Sequence, residues 1–308
     1  MIHHVYANQS NIGDWLSARG IQSLLGSRTV ANHFCDEPFV PATLAALSKA
    51  GPEDFVIIGG GGLFMDYFVP FWDGFRSIAP RVPFAIWGVG ACDMKRVPSR
   101  APITLVSDIV KQSKLCVVRD ELTRNWLSNC ELPQAVICPT VNAVHEAAVE
   151  KAGLLHLDHY DNVGAEIFER MVVIAEEFAA RTGRPYLKAN NLISAGKEDA
   201  LLRTLALYSS SDLVVTSRLH GAIIALAMGR RVLAVSGDNK MESFMCAAGL
   251  SDWVCGLDEI DLLPERLEKL SEQKLPAGFI EEGRRQNLSV AQKVIAMLPD
   301  SQRTQAAP

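Results

Sequence analysis

Short apolar runs alternate with longer amphipathic segments along the whole chain. In the first half the runs fall at residues 4–7, 55–58, 84–87, 115–118 and 135–138. In the second half they fall at 154–157, 185–189, 213–216, 232–235 and 253–255. Each run is continuous rather than alternating, the pattern of a strand covered on both faces. Between them, residues 14–25, 120–130, 164–182, 197–210, 219–228 and 240–248 show helical spacing. Strand and helix alternating on this scale predict parallel sheets joined by crossover helices. The two sets of strands predict two Rossmann-like α/β domains, residues 1–150 and 151–278, with a junction near 148–153. A long last helix is expected over 279–298, and the polar tail 299–308 is expected to fray.

Composition narrows the class. The chain has 308 residues, 48% hydrophobic and 21% charged, the proportions of an ordinary globular protein. Its longest apolar stretch, 219–235, is broken by Gly229, Arg230 and Arg231. That stretch falls short of the ~20 apolar residues a membrane span needs. The start, Met-Ile-His-His-Val-Tyr, shows no basic segment followed by an apolar one, so no secretory signal is expected. Seven scattered cysteines without CxxC spacing fit buried, reduced thiols in a cytoplasmic protein. A net charge of −5 without a basic run argues against nucleic-acid binding.

The candidate chemistry gathers where strands end and helices begin. Asp212-Leu-Val-Val-Thr-Ser-Arg-Leu-His-Gly221 reads as a buried strand running into an apolar helix that stops at Gly229. Ser217, Arg218 and His220 thus sit at a strand's C-terminal end, where backbone N–H groups and a helix dipole favour an anion. Asn11-Ile-Gly-Asp14 follows the first strand. There Gly13 allows close backbone approach, and Asp14 is either a helix cap or a base in the cleft. Ile58-Gly-Gly-Gly-Gly-Leu63 follows the second run, placing Gly60, Gly61 and Gly62 as a ligand-facing turn. It lacks the GxGxxG spacing of a dinucleotide fingerprint. Gly88-Val-Gly90 is a third such turn. Arg119 is either a sheet-end ion pair or an anion ligand, with Asp120 as a helix cap, and Lys240 is either solvated or a neighbour of the Arg218 site. His156 and His159 lack helical ligand spacing and a third partner, so no zinc is expected. No GxSxG, HExxH or Walker A segment is present.

In this order, these segments resemble the polysaccharide pyruvyltransferase family over nearly the whole chain. The resemblance implies a GT-B-like fold with two Rossmann-type domains facing a cleft, and a last helix that crosses back to the first domain. It implies phosphoenolpyruvate as donor, no cofactor, and a sugar hydroxyl pair on an exopolysaccharide precursor or lipid-linked oligosaccharide as acceptor. Association with the inner membrane face and homo-oligomerisation stay open. On this reading Arg218, Arg119, Ser217, Lys240 and Gly221 bind the donor. Gly13, Gly60, Gly61, Gly62 and Gly90 line the cleft with backbone. His220 serves as acid or phosphate donor and Asp14 as base. Two departures, Cys138-Pro-Thr140 and Leu157-Asp-His159, are expected to bear on the acceptor. Two other readings share the fold: a glycosyltransferase using a nucleotide sugar, and a non-catalytic carbohydrate- or anion-binding protein.

Overall fold

The computed structural model describes residues 1–131, 133–146, 152–157 and 160–303. The expected junction at 148–153 therefore lies largely outside the described residues. In the first half, β1 (Ile2–Tyr6), α1 (Ile12–Leu24), β2 (Val30–Phe34), α2 (Val40–Leu47), β3 (Phe55–Gly59) and α3 (Val69–Arg76) follow one another. They lead to β4 (Phe84–Val89), α4 (Ile103–Val110), β5 (Leu115–Val118), α5 (Glu121–Trp126) and β6 (Gln134–Ala135). The second half holds β7 (Gly153–Leu157), α6 (Tyr160–Val163), α7 (Ala165–Thr182), β8 (Tyr186–Ala189), α8 (Glu198–Ser210) and β9 (Ser211–Thr216). Then come α9 (Leu219–Ala227), β10 (Arg231–Ser236), α10 (Asn239–Ala247), β11 (Val254–Gly256), α11 (Leu263–Lys269), α12 (Phe279–Met297) and α13 (Asp300–Arg303).

The strands form two sheets, ordered β2-β1-β3-β4-β5-β6 and β11-β10-β9-β7-β8, and every pairing within them is parallel. The apolar runs become strands because crossover helices cover both faces. β3 and β4, for instance, are buried at every residue. The chain order reverses beside β1/β3 in one sheet and β7/β9 in the other, which opens a crevice at those strand ends. One strand escapes the apolar pattern. Val-Ala-Asn-His-Phe of β2 lies at the sheet edge with no residue fully buried. α5 is shorter than the sequence spacing predicts and ends at Trp126. No helix among the described residues is long and apolar enough to cross a membrane.

The two halves share one core. Tyr6, Ile12, Trp15 and Leu16 of the first pack with Leu157, Val214, Leu219 and Ile223 of the second. Two backbone straps also cross between them. Ile12 N donates to Asn191 O at 2.8 Å and Ile193 N to Ser10 O at 2.8 Å. On the other side, Lys95 N donates to Gly237 O at 3.0 Å and Asn239 N to Asp93 O at 3.1 Å. α12 returns to the first sheet, where Val290, Ala291, Val294 and Leu298 cover Ile2, Phe55, Ile57 and Trp87.

Candidate active site

Between the straps lies a cleft of about 420 Å³. The segments following β1, β2, β3, β4, β5, β8, β9 and β10 all reach it, so both sheets present their C-terminal edges to one space. Arg119, Arg218 and Lys240 form its cationic floor, with Asp14 and His220 beside them. Asn8, Asp36, Tyr67, Phe68 and Leu192 line its outer part, and Asn11, Gly62, Cys92, Asn162 and Asn191 complete the wall.

The cations are held by neighbours rather than solvated. Arg119 Nε donates to Asp120 Oδ2 at 3.2 Å and is 4% exposed. It is thus both the ion pair and the cleft cation that the sequence left as alternatives. Asp120 caps α5 by accepting from Thr123 N. Lys240 Nζ pairs with Asp238 Oδ2 at 2.5 Å and donates to Cys92 Sγ at 3.2 Å. Burial works against its charge, but Cys92 and Asp238 more than offset it, so its pKa is raised. Arg218 Nη2 donates to Asn190 Oδ1 at 3.0 Å. Asp120 and Asp238 thus each neutralise one of these cations within the cleft wall.

Asp14 is not the cap of α1. Asn11 fills that role, its side chain accepting from Gly13 N at 3.0 Å, which leaves Asp14 one turn in and facing the cleft. Burial pushes the Asp14 carboxyl up to about 6, against the opposing pull of Arg119, Lys240 and Arg218. His220 shifts the other way. Burial, reinforced by the same three cations, holds it well below the usual histidine range. That direction favours the neutral imidazole.

The glycines pack closely against neighbouring side chains. Of the five expected to line the cleft with backbone, Gly62 does so. A Cβ on Gly13 would stand 2.1 Å from His220 Nδ1, and one on Gly61 2.2 Å from Asp14 Oδ1. On Gly90 it would lie 2.3 Å from Arg119 Nη2, and on Gly60 2.9 Å from Ser17. A Cβ on Gly221 would stand 2.4 Å from Thr216 Oγ1. Gly13, Gly61 and Gly90 thus leave room for His220, Asp14 and Arg119. Ser217 also lies behind the lining, with its carbonyl accepting from Asn162 Nδ2 at 3.0 Å. Gly13→Ala is accordingly expected to displace the imidazole and lower turnover about a hundredfold, since small misplacements of reacting groups are costly. Gly51→Ala, where a Cβ meets nothing within 4 Å, is the control in parallel kinetic and melting measurements.

Cys138 is buried behind His220, with Sγ 3.7 Å from Nε2 and 3.4 Å from Thr140 Oγ1. This departure thus forms part of the surroundings of His220. The second departure, at Asp158 and His159, lies outside the described residues. His156 is buried in β7 and bonded through Nδ1 to Tyr186 Oη at 2.9 Å. Among the described residues no group of three His, Cys, Asp or Glu is placed to hold a metal. Sequence reasoning missed Asn8, Asp36, Tyr67 and Cys92. Only the strand-end rule, applied to an undetected β2, would have pointed to Asp36.

Two parallel sheets facing each other across a cationic cleft define a GT-B-like fold. Solved structures similar to it agree on the fold. The UDP-GlcNAc 2-epimerase of Methanocaldococcus jannaschii superposes with a TM-score of 0.61 at 12% identity, covering 94% of this chain and 99% of that one. S. aureus MnaA with UDP gives 0.60 at 9% identity, covering 96% and 97%. A functionally uncharacterised Klebsiella pneumoniae protein gives 0.54 at 14%, covering 82% and 91%. No curated protein matches the sequence significantly. The chain belongs to the polysaccharide pyruvyl transferase family, whose model matches residues 9–239. That span includes Asp14, Arg119, Arg218 and His220 and stops one residue before Lys240.

Proposed function

We propose that the protein transfers the pyruvyl group of phosphoenolpyruvate to two hydroxyls of a sugar, forming a cyclic ketal and releasing phosphate. The observation that carries this reading is the convergence of Arg119, Arg218 and Lys240 on one floor beside Asp14 and His220. Phosphoenolpyruvate carries phosphate and carboxylate close together. Arginine pairs with either group in a planar fork and lysine supplies a point charge.

The two perturbed groups divide the proton work. Asp14, with its carboxyl near 6, is pushed further up by a bound anion and reaches neutral pH as an acid. It gives its proton to C3 of the donor while C2 gains positive character. Neutral His220 takes the proton of the first sugar hydroxyl as its oxygen attacks C2. The C2–O bond to phosphate then breaks, with the leaving electrons held by the cations. The departing phosphate takes the proton held by His220, and the second hydroxyl closes the ketal on C2 while giving its own proton to the Asp14 carboxylate, which restores both groups. This assignment reverses the roles expected from sequence, and its ground is the opposite displacement of the two groups.

Phosphate release from phosphoenolpyruvate in the presence of a panel of oligosaccharides tests the reading. Donor-dependent thermal stabilisation separates it from a nucleotide-sugar reaction: phosphoenolpyruvate is expected to raise the melting temperature, and UDP- or GDP-sugars are not. The cationic floor balances the donor without a metal, so excess EDTA is expected to leave turnover unchanged. Loss of activity restored by a divalent ion would overturn that expectation. The acceptor as an exopolysaccharide precursor, handled in the cytoplasm or at the inner membrane face, belongs to the same proposal.

A further inference from the structure

The outer part of the cleft is built differently from its floor. Asp36 follows β2 and accepts two hydrogen bonds, from Asn8 Nδ2 to Oδ2 at 3.1 Å and from Tyr67 Oη to Oδ1 at 2.5 Å. Asn8 is itself fixed, because its Oδ1 accepts from Ser10 N and Asn11 N, both at 2.9 Å. Among the described residues no Lys or Arg pairs with Asp36. A carboxylate offers about four acceptor positions. Two are used, one on each oxygen, so each oxygen retains a position for a further donor. Beside it stand apolar surfaces: Tyr67 is 44% exposed, and Leu192, from the opposite half, 49%. Tyr67 is braced edge-on by Phe68 at 5.0 Å.

A fixed carboxylate with both oxygens open, next to an exposed ring, suits a polyol better than an anion. Two hydroxyls of one ring can donate to the two oxygens, while the ring's C–H face lies on Tyr67 and Leu192. An anionic partner would be repelled by Asp36 and drawn to the floor instead.

We propose that Asp36, oriented by Asn8 and Tyr67, is the acceptor-binding residue of the cleft and selects an uncharged pyranoside by receiving two of its hydroxyls. This rests on the pyruvyl-transfer reading only in calling the sugar an acceptor; the sugar site itself stands on the geometry around Asp36. Asp36 and Asp14 line the same cleft, so a sugar held at Asp36 shares that space with the proposed acid.

The test is saturation-transfer NMR on the full chain with methyl glycosides of glucose, galactose, mannose and N-acetylglucosamine, with inorganic phosphate filling the floor. Transfer to at least one glycoside is expected with the wild type. In Asp36→Asn, which turns one acceptor oxygen into a donor, affinity is expected to fall at least tenfold. In Tyr67→Phe, which keeps the ring but frees the carboxylate, it should fall severalfold. Phosphoenolpyruvate affinity by calorimetry should change less than twofold in both. The proposal is overturned if the wild type takes up none of these glycosides, if Asp36→Asn binds them as well as the wild type, or if that variant loses the donor in parallel. Should glycosides bind through Asp36 while phosphoenolpyruvate does not bind the wild type, the sugar site stands and the pyruvyl-transfer reading falls.

Discussion

Asp14→Asn is expected to lower kcat by ~10²–10⁴-fold, the range contributed by a positioned acid, and at the same time to make the ligand-free protein more stable at pH 8. The second effect follows from the direction in which burial moves the carboxyl. Folded, it sits near 6, and its ordinary value is 3.8, so between these values the folded state holds the proton more tightly than the unfolded one. Stability therefore falls as pH rises from 3.8 through about 6, and the whole loss is present above that. A tenfold change in proton affinity corresponds to ~1.4 kcal/mol. Solvent at the open side of the cleft reduces the full effect, leaving about 2 kcal/mol to be recovered by the uncharged amide. Thermal unfolding at pH 4 and pH 8 checks this, with a gain expected at pH 8 and little at pH 4. The alkaline limb of kcat, set by loss of the Asp14 proton, should vanish in the variant. A variant that is less stable at pH 8 would show that the cations hold Asp14 charged, and His220 would then return as the candidate acid.

Arg218→Ala is expected to weaken phosphoenolpyruvate binding by far more than tenfold. Hydrogen bonds to charged groups contribute ~1.5–3 kcal/mol each, and a planar guanidinium forms two to one anionic group. Arg218→Lys keeps the charge and loses the fork, so it should fall between the two. His220→Ala removes a neutral base rather than a cation and should lower kcat while leaving donor affinity within a few-fold. Calorimetric titration beside steady-state kinetics separates these outcomes. If Arg218→Ala binds the donor normally, the anion pocket lies elsewhere.

The floor of the site was legible in the sequence because each of its members sits at a strand-to-helix junction. Arg119, Arg218, His220 and Lys240 all follow recognisable apolar runs, and the parallel arrangement brings such ends together. The outer part was not legible. β2 is an edge strand whose Asn32 and His33 break the apolar run, so nothing marked Asp36 as a strand-end residue. The glycine turns are visible in the sequence, but their partners are not. Gly13 makes room for a histidine more than two hundred positions away, and Gly61 for Asp14; such pairings exist only in the folded chain. Cys138 stands out in the sequence as unusual, yet its place behind His220 depends on the packing of both halves.

The return of α12 to the first sheet has a consequence for how the protein is made. Trp87 Nε1 donates to Asn287 Oδ1 at 2.9 Å, and Asn287 Nδ2 donates to Ile137 O at 2.8 Å, so the last long helix is tied into the first sheet by polar as well as apolar contacts. Translation proceeds vectorially at ~5–20 residues per second. The ribosome thus releases β1 to β6 on the order of ten seconds before the helix that covers them. Through that interval the nascent chain carries Ile2, Phe55, Ile57 and Trp87 without their cover. A truncation that removes α12 is therefore expected to destabilise the first domain as well as the last.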